Sequence, residues 1–549
     1  MTASLIAMAV LGLTQAGAPV INVDVKDREV ISGERHFRVT VEAKSPVSQV
    51  EFYVGSDLRD SDTSTPYEFK LDTLAEEEGD LKVTFAAYTT DGKSSKKVLT
   101  LKVDNGVSKG ADFHVKAAAD FLRDSKWDEA ITAGRIALKA QKGYNPARLV
   151  LARAYMGKSV LDRAQKFAED VVADDPKNLQ ALELLSVINL QRAFATINRG
   201  GKLEDTQKLF AEALKSAVES RRKSIDSQVD GFGQITDENR LQYVDLAMKA
   251  GRFSLVPQTL SSVFASDISN AAIGNRLAYA QVKLGRFAEA RATLKDLDKK
   301  SAMDGYSYAL LATIETDAGN REASDAAMKE AVLSDSENLG VRTAQAYIAL
   351  KNSNNQVLSR LASDLARDQG QRTEVNYFLS ALTNRLQDYE RSRKYFELSV
   401  LSDPCNSDMY VERGNESINI ALNGGLQKKD ADVQLENARI LFQTALEAQP
   451  SSYQALTGLS IVNLLMGKGQ DAVKFGEAAV KSNENYAGAY YALSAAYASV
   501  RAVGESQKAN LKAGSLDKVN LEGREVPDGK AAFRYFSNGG RTLVMSTPK

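Results

Sequence analysis

From about residue 111 to residue 517 the sequence repeats one pattern at intervals of about 34 residues. Each unit holds two stretches in which apolar residues recur every three or four positions, with a turn between them that often contains Gly. That spacing places the apolar residues on one face of an α-helix. Because one helix pair cannot bury its apolar face alone, neighbouring pairs must stack. The pattern predicts an all-α solenoid of about ten helix pairs.

Three stretches show the repeat in register, namely residues 145–178, 271–298 and 453–486. They resemble the tetratricopeptide repeat (TPR) family. The resemblance implies that the eighth and twentieth positions of a unit meet where the two antiparallel helices come closest, and only small side chains fit there. This sequence supplies Ala152 with Ala164 at those positions.

The same resemblance implies a curved ribbon whose inner, concave face comes from the first helix of each pair. Tyr and Arg, two residue types enriched at binding hot spots, recur at these positions, and such a face suits an extended peptide or a protein helix. A solvated surface without a partner is the alternative interpretation. The predicted partner-binding residues are Arg153, Asn275, Tyr279, Lys283, Tyr306, Tyr347, Lys351, Tyr377, Asn384, Arg385, Asn415 and Tyr491.

Residues 19–104 instead alternate apolar and polar residues, as at 37–43 and 81–88, with turn residues between the alternating runs. Alternation of period two indicates strands with one buried face. The segments 50–55, 65–73 and 85–92 resemble bacterial immunoglobulin-like (Ig-like) domains. The chain is therefore predicted to be multidomain, with a small all-β Ig-like sandwich preceding the TPR solenoid at residues 111–517.

The two termini differ from both domains. Residues 5–13 form an apolar run followed by small residues, which predicts a signal peptide over residues 1–18. With no second apolar span, we expect no integral membrane segment. At the other end, residues 518–549 contain 533–536 and 542–545 around Asn538-Gly539-Gly540, which predicts a C-terminal β-hairpin-like cap or tail.

Composition and motifs argue against several classes of function. The net charge of −1 and the absence of a basic cluster argue against a nucleic-acid partner. Cys405 is the only cysteine and His36 and His114 are the only histidines, so a Cys- or His-based metal site has too few ligands. The sequence lacks phosphate-binding, dinucleotide-binding and hydrolase motifs. We therefore expect no catalytic residues, no cofactor and no metal.

These features together favour an exported, non-enzymatic scaffold that binds a protein or peptide through the concave face of the solenoid, with the Ig-like domain as an accessory module. The expected location is the periplasm, the cell envelope or the extracellular space. Two alternatives stay open. One is an envelope protein that binds or processes glycans, and the other is a structural surface protein that self-assembles.

Overall fold

A computed structural model describes residues 17–198, 203–370, 372–517, 525–539 and 543–548. The predicted signal peptide therefore lies almost entirely outside the described residues. The chain divides into two compact units between Asp174 and Asp175. The first unit begins with a β-sandwich, whose strands are β1 (Val20–Val23), β2 (Val30–Ile31), β3 (Glu34–Glu42), β4 (Val47–Val54), β5 (Asp57–Asp62), β6 (Tyr67–Asp72), β7 (Gly79–Thr89) and β8 (Ser94–Val103).

The sandwich packs a three-stranded sheet, in the order β1-β3-β6, against a five-stranded sheet in the order β2-β8-β7-β4-β5. Neighbouring strands are antiparallel except β2 and β8. Four fully buried phenylalanines, Phe37, Phe52, Phe69 and Phe85, fill the space between the sheets, with ring centroids 5.1–5.9 Å apart. This arrangement confirms the predicted all-β domain.

Helix pairs follow the sandwich in both units. The first unit contains α1 (Ala111–Arg123), α2 (Trp127–Ala140), α3 (Asn145–Gly157) and α4 (Leu161–Asp174). The second contains α5 (Leu179–Asn198), α6 (Leu203–Asp230), α7 (Arg240–Lys249), α8 (Leu255–Ser266), α9 (Ala271–Lys283), α10 (Phe287–Lys299), α11 (Gly305–Asp317), α12 (Arg321–Asp335), α13 (Leu339–Lys351), α14 (Asn355–Gln369), α15 (Thr373–Arg385), α16 (Tyr389–Ser402), α17 (Ser407–Asn423), α18 (Lys428–Ala448), α19 (Tyr453–Leu465), α20 (Gly469–Ser482), α21 (Ala487–Ser499), α22 (Val503–Leu516) and α23 (Gly529–Gly539).

The order of these helices confirms the predicted TPR-type solenoid. Ala152 and Ala164, the small pair expected at the crossing of α3 and α4, are both fully buried. In the second unit some crossings carry serine instead. Ser380 of α15, for example, donates a hydrogen bond across to the main-chain oxygen of Ser392 in α16, at 2.8 Å. A hydroxyl at this position therefore fits the narrow crossing and joins the two helices.

The crossing of α3 and α4 supplies a test of the repeat register. We expect Ala164→Phe to force the pair apart and to lower the free energy of unfolding by about 1–3 kcal/mol, because a packed crossing has no room for a ring. Thermal denaturation of the full chain would measure the loss. Glu169→Phe on the exposed side of α4 is the matched control, and an equal effect of both variants would contradict the register.

In the second unit the solenoid curls until helices far apart in sequence meet. Helix α6 contacts α18, where Gln207 donates a hydrogen bond to the side chain of Asn437 at 2.8 Å and Arg222 donates one to the main-chain oxygen of Glu447 at 2.8 Å. At 28 and 21 residues, α6 and α18 exceed the ordinary helices of the array. The lengthened helices therefore join distant parts of the solenoid.

The predicted C-terminal hairpin is wrong for residues 533–536, because they lie in helix α23. Ala532, Phe533 and Phe536 are buried together on one side of that helix, a spacing of one and three residues that suits a helical face and not a strand. α23 packs on α19 and α21, which are first helices of their pairs. After it, residues 543–548 form neither a helix nor a strand. We call residues 543–548 the C-terminal segment.

Candidate peptide-binding groove

The first helices of successive pairs in the second unit form its inner face. α9, α11 and α13 lie side by side there, and their polar side chains point at the C-terminal segment. We call the surface formed by Tyr279, Lys283, Tyr306 and Thr343 the inner groove. The inner groove holds residues 543–546 of the chain.

Hydrogen bonds to the main chain hold the C-terminal segment. The hydroxyl of Tyr306 donates to the carbonyl oxygen of Ser546 at 2.8 Å, and the hydroxyl of Tyr279 donates to that of Met545 at 3.3 Å. The amide of Ser546 donates in turn to Oγ1 of Thr343 at 3.1 Å. Lys283 Nζ lies 3.4 Å from the carbonyl oxygen of Leu543. Contacts of this kind recognise a polypeptide backbone whatever its side chains.

The side chains of the segment are buried as well. Leu543, Val544 and Met545 are only 2–6% exposed and belong to the same hydrophobic core as the surrounding helices. Burying three apolar side chains contributes about 1.5–3 kcal/mol each, before the entropic cost of ordering the segment is subtracted. The segment is therefore packed into the groove and not merely laid across it.

A buried ion pair forms one end of the groove. Lys283 contacts Asp408 at the start of α17, and the two side chains are 9% and 10% exposed. The Lys283 ammonium also lies 5.6 Å from the ring centroid of Phe253, within range of a cation–π interaction. Asp408 balances the lysine charge, so the groove offers its ligand a hydrogen-bond donor without a large net charge.

The groove tyrosines keep their protons. Burial raises the pKa of both Tyr279 and Tyr306 well above the ordinary value, and for Tyr279 the nearby carboxylate of Asp408 adds to the shift. Both phenols therefore stay neutral at physiological pH and act as hydrogen-bond donors toward carbonyl oxygens.

The structure distributes the twelve predicted binding residues over several environments. Tyr279, Lys283 and Tyr306 contact the C-terminal segment, as just described. Tyr491 stacks on Tyr535 of α23, with ring centroids 4.3 Å apart. Four further predicted residues line a cavity of ≈ 300 Å³ together with Phe533 and Ser537 of α23, namely Tyr377, Asn384, Arg385 and Asn415.

The other four predicted residues have different surroundings. Asn275 accepts a hydrogen bond from Ser307 and donates to Asp304, so it supports the start of α11. Tyr347 donates to Asp317 at 2.8 Å, and Lys351 pairs with the same carboxylate. Arg153 is half-buried on α3 in the first unit. We interpret Asn275, Tyr347 and Lys351 as residues that hold neighbouring repeats together.

Sequence reasoning missed three contributors to the groove. Thr343 and Asp408 are unremarkable residues of helical repeats, and nothing local marks them. The C-terminal segment carried a signal, because Leu543-Val544-Met545 is an apolar run outside the helical period. The run does not form the predicted strand of the hairpin. It packs against the first helices of the solenoid.

Gly340 in the first turn of α13 makes room for the groove tyrosine. A Cβ added at Gly340 would overlap the ring of Tyr306, which is 5% exposed and has nowhere to move. We expect Gly340→Ala to destabilise the second unit by about 1–3 kcal/mol through overpacking, although Ala ordinarily favours a helix over Gly.

Circular dichroism during thermal denaturation measures the effect. Gly504→Ala in α22 is the matched control, since an added Cβ there meets no atom within 4 Å, and we expect it to keep or raise the melting temperature. If both glycine variants behave alike, Tyr306 does not lie against Gly340.

Asp403, which lines a cavity beside the groove, predicts a pH dependence. Burial raises the pKa of its carboxyl from 3.8 to about 6, although the amide of Cys405 donates to it at 3.2 Å and opposes the rise. A carboxyl with a raised pKa binds its proton more tightly in the folded state. Its contribution to the free energy of unfolding therefore falls as the pH increases from 3.8 through 6.

We expect Asp403→Asn, which keeps an oxygen acceptor for Cys405, to melt roughly 2 °C or more above the native chain at pH 8. The gap should shrink as the pH is lowered to 4.5, because native Asp403 is then protonated too. Melting curves of both proteins across this range measure the gap, with the exposed Glu330→Gln as control. A gap that does not change with pH would contradict the assignment.

Comparison with known proteins adds to the description of the sandwich. The family model for the bacterial Ig domain matches residues 24–98. The sandwich is thus of the bacterial Ig type. This segment is similar in structure to the fibronectin(III)-like modules of Clostridium thermocellum CbhA, with 29% sequence identity, covering 16% of this chain and 97% of that chain, at a TM-score of 0.14.

The helical part is similar to two solved repeat proteins. Yeast Tom70 shows 13% identity over 74% of this chain and 92% of its own, at a TM-score of 0.35. The Cut9–Hcn1 hetero-tetramer of APC/C shows 12% identity over 79% and 84%, at a TM-score of 0.40. At these values neither likeness carries an argument about function. No curated protein sequence matches the chain.

Among the described residues, no helix is both long and apolar enough to cross a bilayer. In the same part of the chain, no group of three or more His, Cys, Asp or Glu side chains is placed to hold a metal ion.

Proposed function

We propose that this chain is an exported, non-enzymatic scaffold that binds a protein partner by taking an extended segment of it into the inner groove. One observation carries the proposal, namely that the groove already holds residues 543–546 through hydrogen bonds from Tyr279, Tyr306 and Lys283 to main-chain oxygens. A surface that binds backbone in this way accommodates other sequences in the same conformation.

The Ig-type sandwich supports the location. The bacterial Ig-like domains that the sandwich resembles are accessory modules of exported and cell-surface proteins. The apolar run at residues 5–13 fits a secretory signal. On this support we propose a location in the periplasm, the cell envelope or the extracellular space.

A pull-down with the full chain as bait tests the proposal on the envelope fraction of the source cell. The decisive comparison adds Tyr279→Phe with Tyr306→Phe to a Val544→Asp, Met545→Asp background. The background expels the segment that the same hydroxyls hold, and the two Phe substitutions then remove both hydroxyl donors and keep both rings. Each lost hydrogen bond costs about 0.5–1.5 kcal/mol, so we expect roughly a tenfold loss of the captured partner.

Tyr389→Phe is the matched control, because that tyrosine is 57% exposed at the start of α16, and it should leave capture unchanged. Equal capture by the expelled chain with and without the two Phe substitutions would show that the partner binds elsewhere, for example on the sandwich. Retention on glycan beads in place of a protein would instead support a carbohydrate-binding role.

A further inference from the structure

The C-terminal segment that fills the inner groove belongs to the chain itself. We infer that it is an internal competitor, and that the ligand class of the groove is an extended peptide with consecutive uncharged apolar side chains, like Leu543-Val544-Met545, followed by a small polar residue. This inference rests on the proposed function, since it assumes that the groove is the binding site. It adds the chemistry of the ligand and the means of regulation.

The chemistry follows from what the segment contacts. The main-chain hydrogen bonds are indifferent to sequence, so selection must come from the side chains. Val544 and Met545 are each 2% exposed, and a charged group at either place would lose its hydration without a partner. At the next position the Ser546 hydroxyl lies 3.5 Å from Thr343 Oγ1, where a small polar residue fits.

The buried charges of the groove also favour an uncharged ligand. An acidic ligand gains little from Lys283, because Asp408 already pairs with it in a site where both are about nine-tenths buried. A basic ligand would compete with that lysine for the same carboxylate. The groove therefore favours a neutral segment. The Lys283 ammonium serves as a donor to a carbonyl oxygen such as that of Leu543.

Helix α23 tethers the competitor. Phe533 and Phe536 are 4% and 0% exposed, and Tyr535 stacks on Tyr491 of α21, so this helix is anchored on the inner face. Only residues 540–542 connect it in sequence to the segment. A short tether gives an effective concentration of about 1 mM, and a free peptide with a dissociation constant of about 10 µM would then bind the native chain roughly 100-fold more weakly than an emptied groove.

The test uses the full chain and a fluorescein-labelled peptide with the sequence of residues 541–549, Arg-Thr-Leu-Val-Met-Ser-Thr-Pro-Lys. Fluorescence anisotropy measures its binding to the native chain and to Val544→Asp with Met545→Asp, in which the segment is expelled. Thr547→Asp is the matched control, because it adds a charge at the exposed residue of the segment.

We expect the expelled variant to bind the peptide at least tenfold more tightly than the native chain and the Thr547→Asp control. A peptide carrying Asp in place of Val and Met should not bind. Equal binding to the native and expelled chains would overturn the inference. Should the double Asp variant fail to fold, Val544→Ser with Met545→Ser weakens the same contacts with a milder change and carries the same expectation.

A second arm separates this inference from the proposed function. Adding Tyr279→Phe and Tyr306→Phe to the expelled variant should weaken peptide binding roughly tenfold. If peptide binding does not depend on these hydroxyls, the inner groove is not the binding site, and both the proposed function and the inference are wrong. If the expelled variant binds no peptide, yet partner capture still depends on the hydroxyls, only the inference fails. A native chain that sediments as a dimer and becomes a monomer on expulsion would place the segment in a second copy and overturn its action within one chain.

Discussion

Replacing Lys283 by Met should lower the free energy of unfolding of the second unit by about 3–5 kcal/mol. The substitution keeps an unbranched side chain but leaves the Asp408 carboxylate buried without its partner, which is the costly way to break a buried ion pair. It also removes the donor to Leu543. Urea denaturation followed by circular dichroism measures the loss, with Lys329→Met on the exposed face of α12 as control.

The pair can be tested by a double-mutant cycle. Lys283→Met with Asp408→Leu removes both charges, and we expect it to recover most of the stability lost by the single variant, because two apolar side chains replace a desolvated pair. If the single and double variants lose the same amount, Lys283 and Asp408 are not in contact, and the end of the groove is wrongly described.

Phe442→Ala should destabilise the second unit by a similar amount, about 3–5 kcal/mol. The ring is fully buried in α18 and occupies a notch formed by Gly414 of α17 and Gly458 of α19, where an added Cβ would overlap it. Truncation leaves a cavity that the surrounding backbone cannot fill. Thermal denaturation measures the loss, and Leu511→Ala, at a position 74% exposed, should change the stability little.

The notch itself can be tested through its glycine. Gly458→Ala should be destabilising in the native background and markedly less so when Phe442 is replaced by Leu, because the smaller side chain leaves room for the new methyl group. Additive effects of the two substitutions would show that Phe442 does not lie against Gly458.

The parts of the fold that depend on neighbours in sequence could be predicted. The alternation in residues 37–43 indicates a strand in any context. The resemblance to the tetratricopeptide family implied the small pair Ala152 and Ala164, which lies within a single helix pair. The resemblance to Ig-like domains was equally local, since three short segments carried it.

The parts of the fold that depend on long-range packing could not be predicted from the sequence. Gln207 meets Asn437 across 230 residues of sequence, and nothing in either stretch specifies its partner. For the same reason the inner face was predicted as an open surface, whereas Tyr279 and Tyr306 are buried beneath the C-terminal segment. The predicted hairpin is wrong for another reason. The spacing of Ala532, Phe533 and Phe536 already suits a helix, but Gly539-Gly540 also resembles a turn between two strands.

Hydrogen–deuterium exchange of the full chain, read on peptides that cover residues 543–548, tests most directly whether the C-terminal segment lies in the inner groove. We expect slow exchange at Ser546, whose amide donates to Thr343, and faster exchange in the Tyr279→Phe, Tyr306→Phe variant. Exchange in the native chain as fast as in the free peptide would contradict this placement.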